Sequence, residues 1–176
     1  LVVKVSNQHA APEDFKRLLK TLKEIDKKNI TLLKEVLNRH EMLVLINSCD
    51  CLLSLHRSEG YGLHLAEAMA MGKEVFATNW SGNTEFMNEY NSTLINYNLI
   101  NIKNDIGPYR RGNTWANPCI QNCTDLIKVF VHKMNPDEKK YIKAVDIKEK
   151  LSSRFIGNII NKRLTNLISI INAKIN

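Results

Sequence analysis

The sequence lacks any hydrophobic run near the ~18–20 residues that a membrane-spanning helix requires, which excludes a transmembrane helix. Glycine and proline are scarce, with seven and four among 176 residues, and this excludes collagen-like and low-complexity chains. Apolar residues make up 44% and charged residues 24%, a mixture typical of a globular protein rather than of a disordered one. The length predicts one domain, either complete or as part of a larger enzyme.

The cysteines also lack a metal-binding pattern. Cys49 and Cys51 form a C-x-C pair, and Cys119 and Cys123 a C-x3-C pair, whereas zinc sites are typically built from C-x2-C pairs. The chain opens with Leu1 and no secretory signal, so we expect reduced thiols, a cytoplasmic location and a parent protein that extends further.

The net charge of +7 comes from 25 Lys and Arg against 18 Asp and Glu. Such a chain attracts anions, including nucleotide phosphates. The basic segments 16–28, 139–150 and 162–163 are interrupted or flanked by other residue types, which favours solvated helix faces over a nucleic-acid arm. We therefore expect no nucleic-acid partner, and we leave open a peripheral contact of the basic C-terminal helices with the anionic inner face of a membrane.

Strand-like and helix-like segments alternate along the first hundred residues. Helical spacing or composition predicts helices over Pro12–Lys28, Arg39–Ser48 and Leu63–Met71. Apolar runs predict strands over Leu1–Ser6, Ile30–Leu33, Cys51–Leu55, Glu74–Thr78 and Thr93–Asn96. The runs Leu1–Ser6 and Cys51–Leu55 are continuous enough to predict buried strands. The alternation predicts an α/β fold, an open parallel sheet with helices on both faces.

The remainder of the chain is predicted to be a loop followed by helices. Tyr97–Pro118 is polar and carries glycine and proline, so we expect a long surface loop there. Apolar stripes then predict helices over Ile120–Met134, Asp137–Leu151 and Ser153–Ile171.

The segment with the clearest chemistry is the loop His56–Gly62, which leaves the carboxyl end of a strand and enters a helix. Ligands of open α/β sheets bind at such strand ends. Gly60 and Gly62 permit close approach of a ligand to the backbone. The helix that begins near Leu63 directs its positive dipole end to the same space, which suits a phosphate. Glu59 and Glu67 flank this loop, and their carboxylates are acceptors suited to the vicinal hydroxyls of a sugar.

The spacing of these two glutamates resembles the E-x7-E signature of retaining GT-B glycosyltransferases. Glu59-Gly-Tyr-Gly-Leu, Glu67-Ala-Met-Ala and Gly72 resemble the E-G-F-G-L…E-A-M-A…G pattern of glycosyltransferase family four, also called group 1. Further segments resemble one subgroup of that family: Leu55–Glu59, Ala77–Asn83 with Phe86 and Met87, Tyr109, and Trp115–Pro118.

The resemblance implies a Rossmann-like domain, the C-terminal half of a GT-B enzyme, spanning residues 1–134, with residues 135–176 as helices packing on it or on an absent N-terminal domain. The family's first strand and helix of this domain, which carry an Arg/Lys pair for the diphosphate, also precede the start of this chain.

The resemblance also implies roles for individual residues. Glu67 would bind the ribose hydroxyls of a nucleotide-diphosphate sugar. Glu59 would be the catalytic residue, and with the backbone of Gly60, Tyr61, Gly62 and Leu63 it would bind the transferred sugar and the diphosphate. Related enzymes need no metal and no cofactor. The acceptor would be a glycan or a lipid-linked sugar, and the chain alone would be inactive.

Several further residues have two interpretations. His56 either faces the donor or hydrogen-bonds at the strand end. The segment Ser81-Gly82-Asn83 forms a ligand loop or the N-cap of the next helix, and the two are compatible. Arg57 and Lys4 are basic residues near strand ends and are candidates for phosphate contacts. We expect the Tyr61 ring to pack under the loop while its amide binds the ligand.

Two functions of other kinds remain as alternatives. One is a non-catalytic module that binds nucleotide sugars or acts as a scaffold. The other is a sugar epimerase of GT-B architecture, which would rearrange its substrate instead of transferring it.

Overall fold

The computed structural model describes residues 1–6, 8–25, 27–132 and 147–175. The strands are β1 (Val2–Lys4), β2 (Thr31–Leu33), β3 (Cys51–Ser54), β4 (Glu74–Thr78), β5 (Thr93–Ile95), β6 (Tyr97–Asn101) and β7 (Thr114–Pro118). The helices are α1 (Pro12–Glu24), α2 (Arg39–Ser48), α3 (Leu63–Ala70), α4 (Ile120–His132) and α5 (Ser153–Ile175). Short 3-10 helices cover Lys27–Asn29 and Gly82–Glu85, and residues 147–150 are helical.

The chain divides into two compact units, Leu1–Val44 and Leu45–Asn176. In the first unit, β1 pairs in parallel with β2, and α1 lies between them in sequence. The expected strand Leu1–Ser6 is shorter and less buried than predicted, since Leu1 and Val2 are exposed. Helix α1 also ends before the predicted Lys28, because the backbone becomes extended at Ile25.

In the second unit, β3, β4 and β5 form a parallel sheet in that order. Strand β4 is central, and Val75, Phe76 and Ala77 are fully or almost fully buried. The prediction that Cys51–Leu55 is covered on both faces is wrong, since the strand is Cys51–Ser54 and Leu53 is 39% exposed. Among the described strands β3 has a hydrogen-bonded neighbour on one side, β4, and this leaves it less covered than β4.

Helices cover both faces of this sheet. On one face Phe76 and Ile95 pack with Cys123 of α4, and the Phe76 ring meets the Phe130 ring edge-on at 5.4 Å between centroids. Side chains alternate along a strand, so Val75 and Ala77 lie on the opposite face, where α3 contacts β3 and β4. The predicted α/β organisation, with parallel strands flanked by helices, is confirmed.

The prediction of a long loop over Tyr97–Pro118 is wrong. Strands β6 and β7 form an antiparallel hairpin in which Ile100 lies opposite Trp115, and residues 102–113 connect them. The β6 residues from Asn98 to Asn101 are exposed. A strand without a buried face lacks the alternation of apolar and polar residues by which strands are recognised in a sequence.

The C-terminal helices agree with the prediction where the structure describes them. Helix α4 ends at His132, and Met134 lies outside the described residues, as do residues 137–146 of the helix predicted over Asp137–Leu151. Helix α5 begins at the predicted Ser153 and extends beyond the predicted end. The predicted boundary at residue 134 also falls in the part that is not described, so it stays a prediction.

Candidate functional site

The loop between β3 and α3 turns into the helix at Gly62, as the glycine pattern predicts. Gly62 has φ 85°, and its carbonyl accepts hydrogen bonds from the amides of Leu65 and Ala66. A Cβ at this position would lie 2.9 Å from Leu65 Cδ1 and 3.3 Å from Glu59 Cγ. Both the left-handed conformation and the close contacts favour glycine at this position. Gly62 therefore determines the residue at which α3 begins.

The main chain of Glu59 is held by the segment that follows β4. The Glu59 amide donates to Ser81 Oγ at 2.6 Å, and the Ser81 hydroxyl donates to the Glu59 carbonyl, also at 2.6 Å. The Gly82 amide donates to the same carbonyl at 3.0 Å. Residues at the carboxyl ends of two neighbouring parallel strands are thus joined at the candidate site.

This junction leaves no room for a side chain at position 82. A Cβ on Gly82 would lie 2.0 Å from the Gly60 carbonyl oxygen and 2.9 Å from the Glu59 carbonyl oxygen. Gly82 therefore brings the two loops together by close backbone approach. The interpretation of Ser81 and Gly82 as a ligand loop stays a prediction.

The two predicted carboxylates lie on the loop and on the helix. Glu59 is half-buried, and its Oε1 accepts a hydrogen bond from the Gly60 amide at 3.1 Å. Glu67 is half-buried on α3. Gly60, Tyr61 and Leu63 are exposed between them. The loop thus presents backbone and carboxylate groups at the beginning of a helix, an arrangement able to hold an anion beside a polyol.

The Tyr61 ring packs against the ring of Phe86, with 4.9 Å between centroids. Phe86 is 4% exposed and lies directly after the 3-10 helix Gly82–Glu85. The predicted packing role of the ring is confirmed, and it provides a second link between the two loops.

His56 hydrogen-bonds within the protein through both ring nitrogens. Nδ1 lies 3.0 Å from Ser54 Oγ, and Nε2 lies 3.1 Å from both the Trp80 carbonyl and Asn83 Oδ1. The latter two atoms are acceptors, since Asn83 Nδ2 donates to the Thr78 carbonyl. We therefore assign the proton to Nε2, with Nδ1 accepting from the serine hydroxyl. Of the two interpretations of His56, the structure supports hydrogen bonding at the strand end.

The other two basic candidates also have partners in the protein. The Arg57 guanidinium lies over the Trp115 ring at 5.1 Å, and the Arg57 carbonyl accepts from the Ala116 amide. Trp115 in turn contacts Tyr109, with ring centroids 5.7 Å apart. Lys4 belongs to the first compact unit, where its ammonium donates to the Val5 carbonyl and to Ser6 Oγ.

Sequence reasoning missed two features of this site. Ser81 occupies the N-cap position of the 3-10 helix, but its side chain makes no capping hydrogen bond, so the N-cap interpretation is wrong in its chemistry. Asn83 was interpreted only together with Ser81 and Gly82, as a ligand loop or a cap, whereas the fully buried side chain connects His56 to β4.

No cluster of three or more His, Cys, Asp or Glu suited to a metal ion occurs in the part of the chain that the structure describes. Within that same part, no helix has the length and apolar character needed to cross a bilayer.

The family model for glycosyl transferases group 1 matches residues 11–103 of the 176. The match covers more than half of the chain, and the chain belongs to this family. Its fold is the Rossmann-like fold of the C-terminal half of a GT-B glycosyltransferase, as the sequence predicted.

Among solved structures, the chain is similar to Anabaena Alr3699/HepE in complex with UDP and glucose, with a TM-score of 0.62 and 18% identity. The complex of the same protein with UDP-glucose gives a TM-score of 0.60 and 19% identity. Each likeness covers 96% of this chain and 40% of the HepE chain. No curated protein matches the sequence.

Proposed function

We propose that this chain is the donor-binding part of a retaining glycosyltransferase. The whole enzyme would transfer a sugar, of the hexosyl type, from a nucleotide-diphosphate sugar to a glycan or lipid-linked acceptor. The observation that carries the proposal is the β3–α3 loop. In this loop Ser81 holds the main chain of Glu59 by two hydrogen bonds, and Gly62, in the left-handed conformation, begins α3 at the ends of the strands. The chain that carries this loop belongs to the group 1 family.

Each part of the loop has a role in this proposal. The N-terminus of α3 carries backbone donors and the positive end of the helix dipole, and it would bind the diphosphate with the backbone of residues 61–63. The backbone of Gly60 would lie beside the transferred sugar, because its amide already donates to Glu59 Oε1. Glu59 would accept hydrogen bonds from hydroxyls of the transferred sugar, and Glu67 from those of the ribose.

HepE has been solved with UDP, glucose and UDP-glucose, and we propose uridine nucleotides as the first ligands to test on this chain. We expect no metal ion in the reaction. Charge that develops on the departing diphosphate would be stabilised by the preorganised donors at the beginning of α3.

In the retaining reaction that we propose, the acceptor hydroxyl attacks the anomeric carbon on the face from which the diphosphate leaves. The bond between the anomeric carbon and the phosphate oxygen breaks, and the bond to the acceptor oxygen forms. The acceptor proton passes to the leaving phosphate, so the enzyme needs no separate base. The acceptor site would belong to an N-terminal GT-B domain beyond this chain.

The test is a thermal-shift panel of nucleoside diphosphates and nucleotide sugars on the chain and on Glu67→Ala. A ligand that binds only the folded state stabilises it, by about 2.7 kcal/mol at 100 times its dissociation constant. We expect one nucleotide class to raise the Tm of the wild type and to lose this effect in Glu67→Ala. The exposed Glu89 is the matched control, and Glu89→Ala should respond like the wild type.

Three outcomes would contradict the proposal in different ways. Absence of any nucleotide effect on the wild type would contradict donor binding by this chain. Binding without sugar transfer by the full-length protein would favour the non-catalytic module. Conversion of a labelled nucleotide sugar to an isomer would favour the epimerase.

A further inference from the structure

The contacts of Ser81 assign it a role that the family resemblance does not. Its hydroxyl accepts a hydrogen bond from the Glu59 amide and donates one to the Glu59 carbonyl. A hydroxyl has one proton to donate, and that proton is used inside the protein. A direct hydrogen bond from Ser81 to a ligand would therefore require the bond to Glu59 to break.

The backbone conformation of Ser81 is one that favours glycine, so the presence of serine there indicates that its side chain has a role. Ser81 is the one non-glycine residue with positive φ in the described part of the chain, with φ 75° and ψ −148°. This lies beside a region of conformational space that is almost restricted to glycine. A glycine would adopt this conformation without strain, so what serine adds at this position is the hydroxyl that contacts Glu59.

The contacted residue is also the one whose side chain would meet the sugar. The Glu59 carboxylate already accepts a hydrogen bond from the next amide in the chain, at Gly60. The Gly60 amide is therefore engaged by Glu59, and rotation of the Glu59 main chain would move this amide and the carboxylate together, on the sugar side of the loop. The beginning of α3 is fixed separately, through the bonds from Leu65 and Ala66 to Gly62.

We propose that Ser81 is a positioning residue that sets the Glu59 main chain, and through it the contact of Glu59 with the transferred sugar, while leaving the diphosphate site intact. This inference rests on the proposed function. It differs from the interpretation of Ser81 as a direct ligand of the donor, because it predicts a loss confined to the sugar.

The test compares Ser81→Gly with the wild-type chain. This variant removes the hydroxyl and relieves the backbone strain, so it should fold at least as well. We expect the affinity for UDP-glucose to fall about tenfold, the scale of one hydrogen bond to a charged group. The affinity for UDP should remain that of the wild type. In a Glu59→Gln background, Ser81→Gly should cause no further loss, since both changes act on one contact.

Thr84→Ala is the matched control, since it removes a neighbouring hydroxyl that donates to the Ser81 carbonyl and not to Glu59. Amide hydrogen exchange gives an independent readout. The Glu59 amide should exchange faster in Ser81→Gly, because its acceptor is lost, and at the wild-type rate in Thr84→Ala.

The outcomes separate this inference from the proposed function. If Ser81→Gly binds UDP-glucose as tightly as the wild type, the inference is overturned and the proposed function is not. Unchanged exchange of the Glu59 amide in this variant would have the same consequence. An equal loss of UDP and UDP-glucose would make Ser81 a direct ligand of the nucleotide and would also overturn it. A wild-type chain that binds neither compound would contradict the proposed function and remove the basis of the inference.

Discussion

Position 82 requires glycine because the Gly60 carbonyl oxygen would lie 2.0 Å from a Cβ there. We predict that Gly82→Ala lowers the free energy of unfolding by about 1–3 kcal/mol, since the two loops must separate to admit the methyl group. The same separation should break the bond from the Gly82 amide to the Glu59 carbonyl. Thermal and denaturant unfolding measure the change.

Gly157→Ala is the control for this prediction. Gly157 lies within α5, and a Cβ there would meet no atom within 4 Å. Alanine in a helix interior is more favourable than glycine by about 0.5–1 kcal/mol, so this variant should be slightly stabilised. A Gly82→Ala protein as stable as the wild type would show that the two loops separate at no cost.

The residues at the strand ends show what a sequence can reveal about a site and what it cannot. Glu59, Gly62 and Glu67 could be named from one continuous segment, because strand, loop and helix follow each other there. The hydrogen bond between Ser81 and Glu59 joins residues 22 positions apart, and that between His56 and Asn83 joins residues 27 apart. A local sequence pattern cannot predict these hydrogen bonds, because they depend on the register in which neighbouring strands pair.

At the scale of elements, the sequence predicts best those helices and strands that are buried or that have local hydrogen bonds at their ends. Helix α2 has its predicted bounds, and its beginning is marked by reciprocal bonds between Asn38 and Glu41, a capping box. Strand β4 also has its predicted bounds and is almost wholly buried. The β6–β7 hairpin was predicted as a loop because β6 is exposed along most of its length and β7 has only Ala116 buried, so neither strand shows the alternation that marks a strand in a sequence.

The hairpin is joined to the candidate site through Trp115, which contacts both Tyr109 and Arg57. We predict that Trp115→Ala lowers stability by about 1–2 kcal/mol, through loss of an aromatic pair and of an exposed cation–π contact. Trypsin should then cleave faster at Arg110 and Arg111 in the connecting loop, because that loop loses its aromatic anchor.

Val129→Ala is the matched control for this experiment, since Val129 is an exposed residue of α4. It should be cleaved at the wild-type rate. Equal cleavage of Trp115→Ala and the wild type would show that the strand pairing alone, without the Trp115 ring, holds the loop.

At the scale of the whole molecule, the candidate residues are unequally divided between the two units. Every one except Lys4 belongs to Leu45–Asn176. The chain spans 40% of the length of HepE. The predicted residues that would bind a nucleotide therefore lie within one compact unit, and nucleotide binding can be measured on this chain.

The net charge of +7 gives that binding a testable salt dependence. Phosphate groups are attracted by the field of the whole protein as well as by the beginning of α3, and salt shortens the reach of such fields from about 10 Å at 0.1 M to about 3 Å at 1 M. We predict that the affinity for UDP, measured by calorimetry, falls severalfold between these salt concentrations, while that for uridine, which lacks phosphate, changes little. An affinity for UDP that is independent of salt would locate its recognition in the base and ribose, and would contradict an anion site at α3.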